Sequence, residues 1–285
     1  MKFLWPVSLL FVMLSCQSSQ SEKQVVTEGT PVEKKVGKLL HIEDLTLQHL
    51  LDSFKLDGTI LIFDEEENAL YFNDLEGAYT GQLPASTFKI PNTIIALETG
   101  VASGPEHLFP WDGTDRWLDA WEQDLTLKQA YSVSCVPCYQ EVARAVGPEK
   151  MRSELVRLGY PEMVFDSATV DNFWLQGESR ITPYQQIQFL RRLYHEELPI
   201  RKTTQTAIRE IMLREQTEAY SLSGKTGWSI DGEKNNGWFV GFLERGGKVY
   251  YFATNVEPGA GFEMDGFAAV RVAVTRLALT RLGYL

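Results

Sequence analysis

Three short clusters in this chain carry side chains suited to acyl transfer. Ser86 and Lys89 stand three residues apart in "LPASTFKIPNTIIALETG", residues 83–100. On a helix that spacing puts both on one face, with the amine one turn beyond the hydroxyl. A serine hydroxyl is a weak nucleophile until a nearby base takes its proton. An amine can be that base only when neutral, and burial among apolar groups favours the neutral form. Pro84, Phe88 and Ile90 supply such neighbours. A Ser-x-x-Lys pair alone also occurs by chance in unrelated proteins. Here it is followed 48 residues later by Ser134-Cys135-Val136, and 91 residues after that by Lys225-Thr226-Gly227, with Trp228 next. That order of S-x-x-K, S-x-V and K-T-G is a specific signal.

Other reactive residues carry less. Cys135 and Cys138 form "CVPC", the spacing of a thiol-redox motif. Such a motif belongs at a helix start after a strand, whereas the preceding "LTLKQAYSVS" reads as helical. A small structural disulfide and a pair of buried thiols are the two alternatives. His41, His49, His107 and His195 show no metal-ligand spacing, so no metal site is expected.

Several elements must position these clusters. "GTILIFDEE" (58–66) and "NALYFND" (68–74) read as a strand pair. The Ser86 segment reads as a helix ending at Gly100. Residues 126–134, 137–147, 148–159 and 182–194 read as further helices, the later ones punctuated by Pro137, Gly147, Pro148 and Gly159, with Thr182 as a cap before Pro183. The period then changes. "AYSLSGKTGWS" (219–229), "NGWFVGFLER" (236–245) and "KVYYFATNVE" (248–257) read as strands, the last two joined by a tight turn at Arg245–Gly247. "MDGFAAVRVAVTRLALTRL" (264–282) closes the chain as a helix. Strands at both ends with helices between predict an α/β (α+β) sandwich: one mostly antiparallel sheet covered by helices, with a helical lobe inserted.

The N-terminus reads as a targeting segment. Lys2, an apolar run to Leu14, then Ser15 and Cys16 suggest a secretory signal over residues 1–15. The small residue before Cys16 favours a lipoprotein signal with Cys16 lipidated, hence an exported, periplasmic and lipid-anchored product; an ordinary signal peptide is the alternative. Residues 16–37 are polar and read as a flexible tether. Residues 38–285 remain for one catalytic domain. The formal net charge of −11 argues against nucleic acid as a partner and against simple adsorption to anionic lipid. Oligomeric state is not legible.

Taken together, the motifs resemble those of the serine-reactive penicillin-recognising enzymes, and within them the class D β-lactamases (oxacillinases). The likeness runs through "LPASTFKIPNTIIALETG", "WDGTDRW…WEQDLTLKQA", "VSCVPCYQEVAR", "DNFWLQGESRIT" and "SGKTGW". Class A enzymes carry S-D-N, class C enzymes Y-x-N and transpeptidases usually S-x-N at the second motif; Val136 is the class D choice. The resemblance implies a β-lactamase/DD-peptidase-like fold and hydrolysis of β-lactams through acylation of Ser86. It implies that Lys89 is carboxylated by carbon dioxide (N6-carboxylysine) and acts as general base, with no other cofactor. Val136 would keep that pocket apolar, and the Trp174 indole N–H would donate to the carbamate. Backbone N–H groups of Ser86 and Trp228 would form the oxyanion hole. Ser134, beside Lys225, would relay a proton to the leaving nitrogen, and Thr226, Gly227, Trp228 and Arg271 would bind substrate. The alternatives are a DD-peptidase and a penicillin-binding sensor that is acylated but deacylates slowly. One departure stands out: where many class D enzymes carry Y-G-N, this chain has Tyr160-Pro161-Glu162, to which no catalytic role is given.

Overall fold

The computed structural model describes residues 1–2 and 38–285. Residues 3–15 of the expected leader, Cys16 and all of the expected tether (16–37) therefore lie outside the described residues. The ordered chain opens with β1 (Leu40–Glu43), α1 (Leu45–Ser53), β2 (Leu56–Asp64), β3 (Ala69–Phe72) and a short α2 (Leu75–Ala78). The middle is helical: α3 (Lys89–Thr99), a two-residue strand pair β4 (Leu108–Phe109) and β5 (Leu125–Thr126), α4 (Leu127–Ser132), α5 (Val136–Val146), α6 (Pro148–Arg157), α7 (Pro183–Tyr194) and α8 (Lys202–Met212). The end returns to strands, β6 (Leu213–Gln216), β7 (Tyr220–Asp231), β8 (Lys234–Arg245) and β9 (Lys248–Pro258), before α9 (Phe267–Arg281).

One seven-stranded sheet runs β1-β3-β2-β9-β8-β7-β6. Its pairs are antiparallel apart from β1 with β3. The fold class expected from the sequence therefore holds. The β8–β9 hairpin turns on Gly246 and Gly247, both with positive φ, as a two-residue hairpin of matching twist requires. Both faces of the sheet are covered. Trp238, Val240 and Phe242 of β8 point into the core of the helical lobe, while Phe239 and Leu243 join α1 and α9 on the other face. This two-sided burial explains why β8 reads as a near-continuous apolar run.

The helix punctuation follows local chemistry. Thr182 and Gln185 form a reciprocal capping box, the Gln185 N–H donating to Thr182 Oγ1 at 3.0 Å and the Thr182 N–H to Gln185 Oε1 at 2.9 Å. Thr126 and Gln129 do the same at α4. β1, α1, α8 and β6 have no counterpart in the sequence reading. β1 and β6 are four-residue strands that bury little, so an alternating pattern has no room to show. The Ser86 segment also departs in detail. Residues Ala85–Phe88 form a 3₁₀ turn, and the α-helix proper begins at Lys89. Pro91 then falls in the first turn, where a missing N–H leaves no helical bond unmade.

Candidate active site

The tight turn before α3 sets the position of Ser86. Ala85 has φ +50°, a left-handed conformation uncommon for a residue with a Cβ, and its N–H donates to the Trp174 carbonyl at 2.7 Å. Ser86 follows directly and is 6 % exposed. Lys89, 1 % exposed, donates from Nζ to Ser86 Oγ at 3.0 Å. Burial pulls the Lys89 ammonium down to about 7, so near neutral pH a large share of the side chain is free amine. The same Nζ lies 5.0 Å from the centre of the Tyr139 ring. Tyr139 is itself fully buried, its hydroxyl 2.6 Å from Thr93 Oγ1.

Trp174 packs against Phe88, the residue between Thr87 and Lys89. Its ring stacks on Phe88 at 5.4 Å between centroids. It is fully buried, and its Nε1 has no hydrogen-bond partner among the described residues. A buried indole N–H normally finds an acceptor, and leaving one unpaired costs about 1–3 kcal/mol. A carbamate oxygen on Lys89, the residue after Phe88, would be such an acceptor. The residues present thus fit the carboxylated Lys89 that the sequence suggests.

The second cluster sits at the junction of α4 and α5. Ser134 also has a positive φ, +59°, and lies half-buried between the two helices. Its Oγ accepts from Lys225 Nζ at 3.1 Å, and the same ammonium donates to the Thr226 carbonyl at 3.0 Å. Cys135 caps α5 and is bonded to Cys138, so of the two alternatives for "CVPC" the structure takes the disulfide. Val136 is the first residue of α5 and packs, partly buried, against the lobe core.

The third cluster lies on the open edge of the sheet. β6 pairs with β7 only as far as Ser223, so from Gly224 onward β7 has a free edge with unpaired backbone groups. A Cβ on Gly227 would come within 3.2 Å of both Ala85 Cβ and Thr87 Cγ2. The Lys225-Thr226-Gly227 strand therefore lies against the residues flanking Ser86, and Trp228 follows at once. Arg271 reaches the same strand from α9. Its Nη1 donates to the Gly227 carbonyl, and its stem fills space that the missing side chain of Gly237, opposite Trp228, leaves open. Burial, and then the charge of Arg214, lower the Arg271 guanidinium to about 10. Lys225 sits well below its ordinary range, chiefly through burial and then through the charges of Lys89, Arg214 and Arg271. The structure thus gathers Ser86, Lys89, Ser134, Lys225, Thr226, Gly227, Trp228, Trp174 and Arg271 around one turn.

Comparisons with known proteins bear on the chain as a whole. A family model described as the penicillin binding protein transpeptidase domain matches residues 56–276. The β-lactamase OXA-10 of Pseudomonas aeruginosa is 35% identical over 250 residues, 87% of this chain and 88% of its own. The β-lactamase OXA-48 of Klebsiella pneumoniae is 38% identical over 225 residues, covering 79% and 83%. A class D β-lactamase structure from Nostoc superposes with TM-score 0.80 at 41% identity over 84% of this chain and 99% of that one.

The chain belongs to the class D β-lactamase family.

Measured against the family reading, sequence reasoning missed the residues that wall the site without touching a motif. Tyr139 lies under Lys89, and Tyr131 lies 5.5 Å from Lys225 Nζ, its buried hydroxyl unpartnered. Tyr160, in the segment that departs from the class D pattern, packs edge-on against Phe88 and Phe189 and belongs to the core behind the nucleophile. Trp117, 74 % exposed, stands 6.4 Å from the Trp228 ring at the mouth of the class D site.

Proposed function

We propose that the chain hydrolyses β-lactam antibiotics through an acyl-enzyme on Ser86. The observation that carries this reading is the buried Lys89 amine 3.0 Å from Ser86 Oγ, together with the Trp174 indole, stacked on Phe88, whose N–H has no acceptor among the described residues. Ser86 Oγ, its proton taken by the Lys89 base, adds to the lactam carbonyl, the lactam C–N bond breaks, and the acyl group stays on Ser86 until a water activated by the same base hydrolyses the ester. Ser134 delivers the proton to the departing nitrogen, with Lys225 at 3.1 Å fixing its hydroxyl and supplying positive field. The backbone N–H groups of Ser86 and Trp228 hold the oxyanion, an interaction whose loss costs about 10²–10³ in rate. Thr226, Gly227 and Trp228 form the edge along which the substrate lies, with Arg271 beneath. Carboxylated Lys89 supplies an anionic general base, which Trp174 Nε1 would hold and Val136 would keep in apolar surroundings. No other cofactor enters the reading.

We further propose that residues 1–15 direct export to the periplasm and that Cys16 carries a lipid anchor, with residues 16–37 as tether. The support is the composition of that segment.

The test is turnover of benzylpenicillin with and without bicarbonate, followed with intact mass. Turnover that rises with bicarbonate is expected. A stable adduct on Ser86 with little turnover would favour a sensor or peptidase. Trp174→Ala should accumulate the acyl-enzyme; wild-type turnover by that variant without added bicarbonate would overturn the role given to the indole.

A further inference from the structure

The proton relay hangs on a strained residue. Ser134 has φ +59°, a conformation that a residue with a Cβ keeps only where its neighbours hold it. On the α4 side the hold is ordinary. The Val133 N–H donates to the Gln129 carbonyl at 2.9 Å, that of Ser134 to Tyr131 at 3.2 Å and that of Cys135 to Ala130 at 2.8 Å. Trp121 Nε1 donates to the Val133 carbonyl at 3.0 Å. On the α5 side the link runs through Cys135, the N-cap of that helix. An N-cap side chain normally fixes the first turn by accepting a backbone N–H at an oxygen. Here the acceptor is Cys135 Sγ, 3.2 Å from the Cys138 nitrogen, and sulfur accepts weakly. Pro137, inside the first turn, has no N–H to add. The covalent bond from Cys135 to Cys138 therefore carries most of the tie.

The bond is also reachable. A cavity of about 320 Å³ lies beside it, lined by both cysteines and by Trp121, Pro137 and Gln140 among others. Ser86, Lys89, Ser134 and Lys225 do not line it, so a reagent can enter without occupying the catalytic turn. Cys138 is 8 % exposed and Cys135 1 %, so an incoming thiolate meets Cys138 Sγ first. Cys135 Sγ then departs at the N-terminus of α5, where a helix stabilises a thiolate and makes it a good leaving group.

We propose that the Cys135–Cys138 bond is a redox-sensitive positioning element: it holds Ser134 ready to protonate the departing lactam nitrogen, and a small dithiol reaching it through the cavity slows that step. The inference rests on the β-lactam reading above, in which Ser134 is the relay. In the opening step a thiolate of the dithiol attacks Cys138 Sγ, the bond between the two protein sulfurs breaks, and Cys135 leaves as a thiolate. The second thiol of the reagent then displaces Cys138. The reagent ends as a disulfide, oxidised by two electrons, and the two protein sulfurs take up the two protons that it gives up.

The experiment reduces the full protein with dithiothreitol, removes the reagent under nitrogen and locates new thiols by iodoacetamide labelling and mass. Labels at Cys135 and Cys138 in a protein that stays folded by circular dichroism are expected. Acylation of the reduced, unlabelled protein by benzylpenicillin and by nitrocefin, and decay of each adduct, are followed by quenched intact mass. Nitrocefin has a departing nitrogen conjugated with an electron-poor ring, so it needs less help from a proton. Reduction should slow acylation by benzylpenicillin about tenfold, part of the roughly 10²–10⁴-fold that positioned proton transfer supplies, and acylation by nitrocefin by less than about threefold. Adduct decay, which depends on Lys89, should change by less than about twofold. Re-oxidation with diamide should restore the first rate. The double variant Cys135→Ala/Cys138→Ala should show the rates of the reduced protein and ignore the dithiol. A bond that dithiothreitol leaves closed in the folded protein would overturn the redox sensitivity. Equal losses for both substrates, a parallel loss in adduct decay, or unchanged acylation would overturn the positioning role. Oxidised protein that benzylpenicillin does not acylate would instead overturn the reading of the site, and the inference with it.

Discussion

Lys89 joins a charge problem to a chemical one. Its ammonium is buried without an anionic partner, and burial brings its pKa to about 7 from an ordinary 10.5. Only the deprotonated form can accept the Ser86 proton or react with carbon dioxide. Activity should therefore fall on the acid side, with kcat/KM for a penicillin losing about tenfold per pH unit below an apparent pKa near 7. A profile flat down to pH 5 would contradict a neutral Lys89. The same shift has a stability consequence. The folded pKa lies below the unfolded one, so between pH 7 and 10.5 the unfolded chain binds more protons and folding stability rises with pH. Lys89→Met removes the cost of burying the charge. Measured by urea unfolding without bicarbonate, it should exceed the wild type by about 3–5 kcal/mol at pH 6. That advantage should shrink as pH climbs toward 10.5. Ser86, Lys89 and the K-T-G residues were legible because their chemistry demands particular side chains at particular spacings. Tyr131 and Tyr139 were not, because nothing along the chain marks which residues helix packing will aim at a distant motif.

At the scale of elements, the site depends on how closely the β7 edge approaches the turn before α3. Gly227 permits the approach. A Cβ there would meet Ala85, Thr87 and Trp238 at 3.2 Å, a separation that forces neighbours to give. Gly227→Ala should push Trp228 away from Ser86, misplacing one oxyanion donor and lowering the acylation rate by about 10²-fold. Near-wild-type acylation would show that the strand can yield without loss. The turn into α5 offers a second check. The Cys135–Cys138 bond closes a loop with a sequence separation of only 3, so its entropic effect is small. Cys138→Ser should lower stability by about 2 kcal/mol in chemical denaturation. The helices around these turns could be read from Pro, Gly and Thr punctuation. The 3₁₀ start at Ala85 and the left-handed Ser134 could not, because tertiary contacts hold those two residues in conformations that their side chains disfavour.

Across the whole molecule, a two-sided sheet separates two cores, and the catalytic turn lies where the helical lobe meets the open edge. That arrangement lets helices from the lobe and from the C-terminus converge on one strand: Ser134 comes from the α4–α5 junction, Arg271 from α9 and Trp174 from the segment before α7. The proposed leader and lipid anchor at Cys16 belong to this scale too, since they would decide where the domain works. Cys16→Ser should move the protein from the membrane pellet to the soluble fraction on cell fractionation, with hydrolysis per molecule unchanged. Retention in the pellet would remove the lipid-anchor proposal. The sequence by itself determined the fold class, the order of strands and helices at the C-terminal end, and the spacing of Ser86, Lys89, Ser134 and Lys225, because hydrophobic period and reactive side chains are local properties. Only the tertiary structure decided that Cys135 and Cys138 are bonded, that the Trp174 N–H has no acceptor among the described residues, and that the Gly227 strand lies against Ala85 and Thr87. The last two depend on distances between residues far apart in the chain, which are set when the sheet pairs and the helices pack; the bond depends on the turn into α5 that brings the two sulfurs together.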